Sequence, residues 1–414
     1  MRHIIFLFLS LFSLNCFSQK LLTLKEAEEQ LQKNNLQLVA EQYNISASQA
    51  AVIQAKIWEQ PYLSGEFNAI NPQDNRVFDI GGRGQKGLAI QQLIYLGGKK
   101  KNEIDFAKSN VAIAELEFEQ LLRNLKYQLN QTFYSVYFDQ QKVKSLVAQI
   151  SILDTLVNNY SIQANKGNIP LREVVRLQSL VLNLKNEKNN LLKDIIESQQ
   201  NLSLLTGITE TIAPIVNEPD LIQSFQAKLI SKETILTTAL ESNLDYLTTI
   251  KVAESQAQFL KWQKSLATPD ITTGLSYDQR GGAFQNQVNI TVGIPLPLWN
   301  RNKGNIKIAE AQLQQTNLNK DYKKLELQTK VETYWQLWQQ QVNQFQNIDK
   351  STTSNLEEVY TGMLLNFQKR NITMLEFTDF MESYNQSSIQ INEIKKTLIL
   401  SGINLNFITN KEIF

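Results

Sequence analysis

From Lys99 to Lys166 the chain runs for 68 residues without a Gly or a Pro. A single helix of that length would extend about 100 Å at the α-helical rise. Its apolar residues step by four and three: Ala107, Val111, Ala114, Phe118, Leu121, Leu125, and later Val143, Leu146, Ile150, Leu153, Val157, Tyr160. That is coiled-coil spacing. Asn305 to Thr361 is a second breaker-free run, of 57 residues. The breakers are gathered elsewhere: Pro61 to Gly98 and Pro269 to Gly304 together hold 12 of the 16 Gly and 5 of the 8 Pro. The expected fold class is mainly α, interrupted by two β islands.

In the second island Val288, Ile290, Val292 and Ile294 alternate with Asn289, Thr291 and Gly293, which is the period of a strand. In the first, Leu63, Phe67 and Ala69 face one way and Ser64, Glu66 and Asn68 the other, with a return strand from Gly87 to Tyr95. Thr23 and Glu26 form a capping-box start for a first helix running to about Glu59. Asn35-Leu36 and Pro61 recur as Asn243-Leu244 and Pro269, and Leu205-Thr206-Gly207 answers Leu400-Ser401-Gly402. This order predicts an internal duplication: a signal segment at 1–18, a first repeat at 19–210 with its hairpin at about 61–96, a linker at 211–230, a second repeat at 231–402 with its hairpin at about 269–297, and a tail at 403–414. The last helix is expected to close at Gly402.

Residues 1–18 read as a secretory signal, with Arg2 before a short apolar core and cleavage before Gln19. A second reading makes Cys16 a lipidation site. After cleavage at Gln19 the chain has neither Cys nor His, which removes disulfides, thiolate chemistry, Cys/His zinc sites and a Ser-His-Asp triad. No catalytic residues, cofactor or metal site are expected, and the chain does not read as an enzyme. The 41 Lys plus Arg against 40 Asp plus Glu give no nucleic-acid signature. No later run is apolar enough for a membrane helix, so any crossing must use strands. Two hairpins cannot close a barrel, because their edge groups would be unsatisfied in lipid. Three chains pooling strands would give twelve. A soluble β-domain on a coiled-coil stalk is the other reading of the same hairpins.

The segment VGIPLPLWNRNKG, together with LIYLGGKK at the matching place in the first half, resembles the strand-to-helix junctions of the TolC-like outer membrane efflux family, in its heavy-metal efflux branch. The resemblance covers the chain from about Leu22 to Phe407. It implies a homotrimeric channel in the outer membrane of a Gram-negative bacterium, with a 12-stranded β-barrel in lipid and a long periplasmic α-helical barrel. An equatorial region would come from the linker and C-terminus. It further implies docking through a periplasmic adaptor to an inner-membrane RND-type pump, and passive export of metal ions or drugs. The alternatives are a poreless periplasmic scaffold or adaptor, or a type I protein-secretion duct.

By the same resemblance Gly167, Asn168, Ile169, Arg370, Asn371 and Ile372 lie at the periplasmic entrance, where adaptor contacts fall. Glu376 and Asp379 are candidates for an acidic pore constriction, and a threefold ring of Glu376 would raise its own pKa. Gly97, Gly98, Pro295, Pro297, Trp299 and Gly304 mark the strand–helix junctions. Met363, Met374 and Met381 are soft-metal ligands in type, but packing is the ordinary role of such residues. Trp335 and Trp338 are expected to pack between helices. Lys99, Lys100, Lys101, Arg301 and Lys303 would face lipid phosphate or start helices in water.

Overall fold

The computed structural model describes residues 19–72, 75–82, 84–226, 230–281, 283–299, 301–348 and 350–414. The signal segment at 1–18, with Cys16, lies outside the described residues. In chain order the elements are β1 (Lys20–Leu22), α1 (Leu24–Asn34), α2 (Leu36–Lys56), β2 (Tyr62–Phe67), β3 (Ile70–Asn71), β4 (Arg76–Val77), β5 (Lys86–Ile94), α3 (Lys99–Asn165), α4 (Leu171–Thr206) and β6 (Ile212–Pro214). There follow α5 (Glu218–Gln226), α6 (Lys232–Ser242), α7 (Leu244–Ser265), β7 (Ile271–Arg280), β8 (Phe284–Gly293), α8 (Lys303–Gln346), α9 (Lys350–Gln368) and α10 (Met374–Thr409). No described helix is long and apolar enough to cross a membrane.

The chain divides into two compact units, one of Ala40–Gln120 with Leu240–Gln328, the other holding the remainder. In the first, both hairpins join into one antiparallel sheet of order β2-β5-β7-β8. The register sorts side chains sharply. One face carries the cross-strand row Leu63, Ile90, Leu275, Ile290 and the next row Gly65, Leu88, Tyr277, Val288. The other face carries Ser64, Ala89, Ser276, Asn289 and then Glu66, Gly87, Asp278, Gln287. Leu63, Leu88, Ile90, Leu275, Val288, Ile290 and Val292 are all exposed. An apolar sheet face left open by its own chain needs a non-aqueous neighbour.

Where β5 passes into α3, Gly97 and Gly98 both take left-handed φ, at 67° and 71°. A Cβ on Gly97 would meet the Thr268 side chain at 2.6 Å, so this turn admits only glycine. Asp270 closes the same junction. Its Oδ1 accepts the Leu96 N–H at 3.0 Å, and its Oδ2 lies 2.6 Å from Lys99 Nζ. Lys99 is buried. It does not face lipid phosphate as one reading of the sequence had it, because the carboxylate beside it supplies its counter-charge. Lys100 pairs locally with Glu103.

The second unit is cored by α3, α4, α9 and α10. Leu146, Ile150, Leu153 and Leu156 meet Leu177, Leu180, Val181 and Leu184, with Phe367, Met374, Phe377 and Met381. Met374 and Met381 are therefore packing residues within an apolar core. In the same unit β1 and β6 pair in parallel. β6 and α5 occupy the segment read as a linker, which is thus structured.

Several helices break where no Gly or Pro forewarned. The expected first helix stops at Asn35, whose Oδ1 accepts the Gln37 and Leu38 N–H groups while its Nδ2 donates to Leu205 O. One buried side chain caps α2 and satisfies the C-terminal end of α4. Its counterpart Asn243 caps α7, accepting from Tyr246 N–H, so the helix expected from Ser231 to Pro269 is also two. The long run from Asn305 is interrupted after Gln346, where Ile348 N–H bonds Phe345 O in a tighter turn. Conversely, α10 does not close at Gly402. It continues to Thr409, and Asn410 (φ 48°) ends it. Gly402 serves packing, since a Cβ there would collide with the Phe225 ring.

Asp270→Asn is expected to destabilise the protein by about 3 kcal/mol, because it leaves the buried Lys99 ammonium unpaired. Lys99→Met combined with Asp270→Asn, whose amide oxygen can still accept the Leu96 N–H, should recover most of that loss, as read by thermal unfolding of the detergent-solubilised protein.

Candidate functional site

The two helix turns at the ends of α3–α4 and α9–α10 are built alike. In the first, Gly167 has φ 75° and donates to Ala164 O at 2.9 Å, while Asn168 N–H reaches back to Gln163 O at 3.0 Å. In the second, Arg370 has φ 61° and donates to Phe367 O at 3.0 Å, while Asn371 N–H reaches Asn366 O at 2.8 Å. The backward reach to a carbonyl five residues earlier is a Schellman-type closure. Each Asn side chain adds a second clip. Asn168 Nδ2 donates to Gln163 Oε1 at 2.8 Å, and Asn371 Nδ2 to Asn366 Oδ1 at 3.0 Å. Arg370 carries a left-handed backbone that costs an L-residue about 1 kcal/mol; the first turn avoids that cost with glycine. Ile372 packs onto the apolar core and Ile169 is half-buried, so each turn is pinned on its inner side.

The next turn of each helix carries a carboxylate. Thr373 caps α10: its hydroxyl accepts the Glu376 N–H, and Glu376 Oε2 accepts the Thr373 N–H and hydroxyl, each at 2.8 Å. The Thr373 backbone bond first, and the hydroxyl bond second, hold the Glu376 carboxyl below the ordinary carboxylate range. Within one chain the cap biases Glu376 toward ionisation; the upward shift expected of a threefold ring is a matter of neighbouring copies. Asp379 is exposed on α10, one turn on. In the other hairpin the residue at the equivalent third position is Glu173, six after Gly167 as Glu376 is six after Arg370. Pro170 stands where Thr373 caps, so no side-chain cap exists there. Glu173 was missed in the sequence; the shared turn-to-carboxylate spacing was the signal that would have found it.

Aromatic rings brace this end. Tyr160, Phe367 and Phe377 stack in series at 5.5 and 4.0 Å. Deeper in the same unit lies a buried ionic layer. Lys142 Nζ is 2.6 Å from Glu393 Oε2 and 3.1 Å from Asp139 Oδ1, and Lys396 reaches both carboxylates. Burial opposes the charge on Glu393, yet Lys142 and Lys396 hold its carboxyl below the usual range. Lys395 pairs with Glu218, which also accepts from Tyr137; burial and that carboxylate push the Tyr137 phenol up to about 12. These groups fix α10 to α3 and α5.

At the second strand–helix junction, Pro295 and Pro297 end the β8 ladder, and Arg301 Nε donates to Pro297 O. Asn302 (φ 55°) donates to Gln263 O at 2.8 Å, tying the start of α8 to α7. Gly304 lies in the first turn of α8 with open space around it. Trp299 is 91% exposed. Trp335 and Trp338, by contrast, pack within the helical unit and donate to Ile230 O and Phe225 O. Among the described residues no cluster of three His, Cys, Asp or Glu could hold a metal ion.

The family model for outer membrane efflux proteins matches residues 27–208. The cobalt-zinc-cadmium resistance protein CzcC of Cupriavidus metallidurans is 24% identical over 296 residues, 70% of this chain and 66% of that protein, just under two thirds of its length. Among solved structures, CusC superposes with a TM-score of 0.74 at 16% identity, covering 94% of this chain and 92% of its own. The Campylobacter jejuni CmeC outer membrane channel gives 0.73 at 13% identity, over 94% and 86%. VceC of Vibrio cholerae, an outer membrane protein, gives 0.69 at 15%, over 94% and 97%. These likenesses establish the fold.

Because the Glu376 pKa is depressed in the folded chain, the cap's contribution is complete above the free value of 4.5 and is lost as pH falls through the folded value. The protection factors of the first amides of α10, taken against the intrinsic exchange rate at each pH, should therefore fall on acidification. Thr373→Ala should lower them about fivefold at neutral pH, while Glu376→Gln, which preserves capping-box geometry, should keep them close to wild type and remove their pH dependence.

Proposed function

Taking as premise that the chain belongs to the TolC-like outer membrane efflux proteins, we propose that it is the outer-membrane duct of a tripartite efflux system. The observation that carries this reading is the four-stranded sheet, with one exposed apolar face, one polar face of small residues, and outer edges on β2 and β8 that lack ladder partners among the described residues. Edges of that kind are not tolerated in lipid, whereas a closed barrel has none. Three copies close twelve strands around a lumen lined by Ser64, Ser276, Asn289 and their neighbours. The apolar rows then meet lipid, and the helices continue the passage on the periplasmic side.

The duct is passive. An inner-membrane RND-type pump would supply the energy through a periplasmic adaptor. The two clipped turns, Gly167-Asn168-Ile169 and Arg370-Asn371-Ile372, are the proposed entrance and adaptor surface. Glu376 and Asp379 are the proposed constriction, with Glu376 held ionised by its cap. Ionised carboxylates around a narrow passage favour cations. The similarity to CzcC, named for cobalt, zinc and cadmium resistance, supports metal ions over drugs as cargo.

The test has two arms. Purified protein should run on gels as a heat-dissociable trimer and, in planar bilayers, give a small cation-preferring conductance. Glu376→Gln with Asp379→Asn should shift selectivity toward anions without abolishing conductance. A heat-insensitive monomer that gives no conductance would defeat the duct. In parallel, a deletion strain should become sensitive to divalent metal salts; sensitivity confined to antibiotics would reassign the cargo.

A further inference from the structure

The apolar parity of β8 does not stop with its ladder. Val288, Ile290 and Val292 belong to the strand, and Ile294, Leu296 and Leu298 continue the same every-second-residue row beyond it. All six are exposed, Ile294 the least at 51% and Ile290 the most at 77%. The residues between them past the strand are Pro295 and Pro297, and the row terminates beside Trp299. Arg301 and Lys303 follow at once.

A strand crossing a bilayer obliquely needs about 9–11 residues of apolar patterning. β8 itself has 10 residues, Phe284–Gly293, but Asn286 interrupts its apolar row, which within the ladder runs only from Val288 to Val292. From Val288 to Leu298 the row is unbroken, so the proline segment lengthens the apolar surface at the helix end of β8.

The backbone of the segment is partly satisfied within itself. Pro295 and Pro297 have no N–H to bury. Leu298 N–H is satisfied by Leu296 O at 2.8 Å, and Pro297 O accepts from Arg301 Nε at 3.2 Å. The same prolines forbid continuation of the β ladder, so a neighbouring copy cannot cover this stretch by strand pairing. At the other junction, on the same end of the sheet, Trp58 and Tyr95 lie 5.7 Å apart, with Trp58 and Tyr62 exposed. Trp and Tyr favour the headgroup level, where the ring is half in hydrocarbon and its polar tip is wet.

We propose that Ile294–Trp299 is a lipid-binding segment: Leu296 and Leu298 enter the periplasmic-side acyl layer, Trp299 sits at the headgroups, and Arg301 and Lys303 lie at phosphate level. The inference rests on the barrel reading above and extends the membrane-contacting surface past the last strand residue. It makes the proline segment, and not the end of β8, the boundary of the membrane zone.

The test uses the full-length trimer reconstituted in phosphatidylcholine vesicles whose acyl chains carry bromine either near the headgroup or near the chain end. The Trp299 signal is the difference between wild type and Trp299→Phe. A depth control places a tryptophan on the strand, Ile290→Trp in the Trp299→Phe background. The expected result is loss of Trp299 emission, strongest with bromine near the headgroup, and loss of Ile290→Trp emission, strongest with the deeper bromine. Quenching of the strand tryptophan with none at Trp299 overturns the inference and leaves the barrel standing, the segment then lying in water or against a second copy. Failure of both signals, with protein that does not float with the vesicles, overturns both. Should Trp299→Phe lower trimer yield, Leu296→Trp in the otherwise wild-type chain provides the second reading, its added emission again quenched only if the segment is in lipid.

Discussion

Along β2 and β8 the outward backbone groups have no ladder partner among the described residues, and this open hydrogen bonding is the constraint from which the barrel reading follows. A lone open sheet with a wet face and a greasy face is stable neither in water nor in lipid. In the proposed barrel, closure with further copies would cure both faults together, pairing the edges and separating the two faces into lumen and lipid side. Each chain would then need only a fraction of a barrel, which accounts for how few residues are spent on strands. The remaining sequence supplies helices that hold the sheet's ends in place.

Holding those ends is a local problem solved by a few buried polar groups. Asp270 satisfies a backbone N–H and a buried lysine at one junction, and Asn302 ties α8 to α7 at the other. Asn35 and Asn243 do similar work where helices break. These residues share a logic. A short polar side chain takes over hydrogen bonds that a helix or strand must give up at its end. The two halves of the chain meet the same task with different residues. Glycine closes one helix turn and arginine the other, and proline begins α4 where a threonine capping box begins α10.

Much of this was legible in the sequence, and the legible part is that which depends on periodicity and breakers. The alternation from Val288 to Ile294 placed a strand with one apolar face, and the Thr23–Glu26 capping box formed as its spacing predicted. What escaped was set by tertiary contact. Nothing in the local sequence distinguishes Asn35 as a helix break from the other asparagines of a Gln- and Asn-rich helix; in the fold its side chain both caps α2 and donates to Leu205 O. Gly402 looked like a helix terminus and is instead a gap left for the Phe225 ring. Lys99 looked like a surface base, and only the fold brings Asp270, far along the chain, to its side. Met374 and Met381 had the chemistry of soft-metal ligands, yet their helical spacing placed them in the core.

The same distinction governs the acidic groups at the helix turns. A carboxylate near an entrance invites a reading from charge alone, in which neighbouring copies repel and the proton is retained. Glu376 is first a helix cap, and the bonds from Thr373 stabilise its ionised form before any neighbour is considered. Repulsion among copies must therefore overcome a carboxyl already biased toward ionisation. The cap therefore widens toward acid the range over which Glu376 is charged. Charge and helix start meet at one side chain but remain separable: a glutamine there removes the charge and keeps the cap geometry, whereas an alanine at Thr373 weakens the cap and leaves the carboxylate.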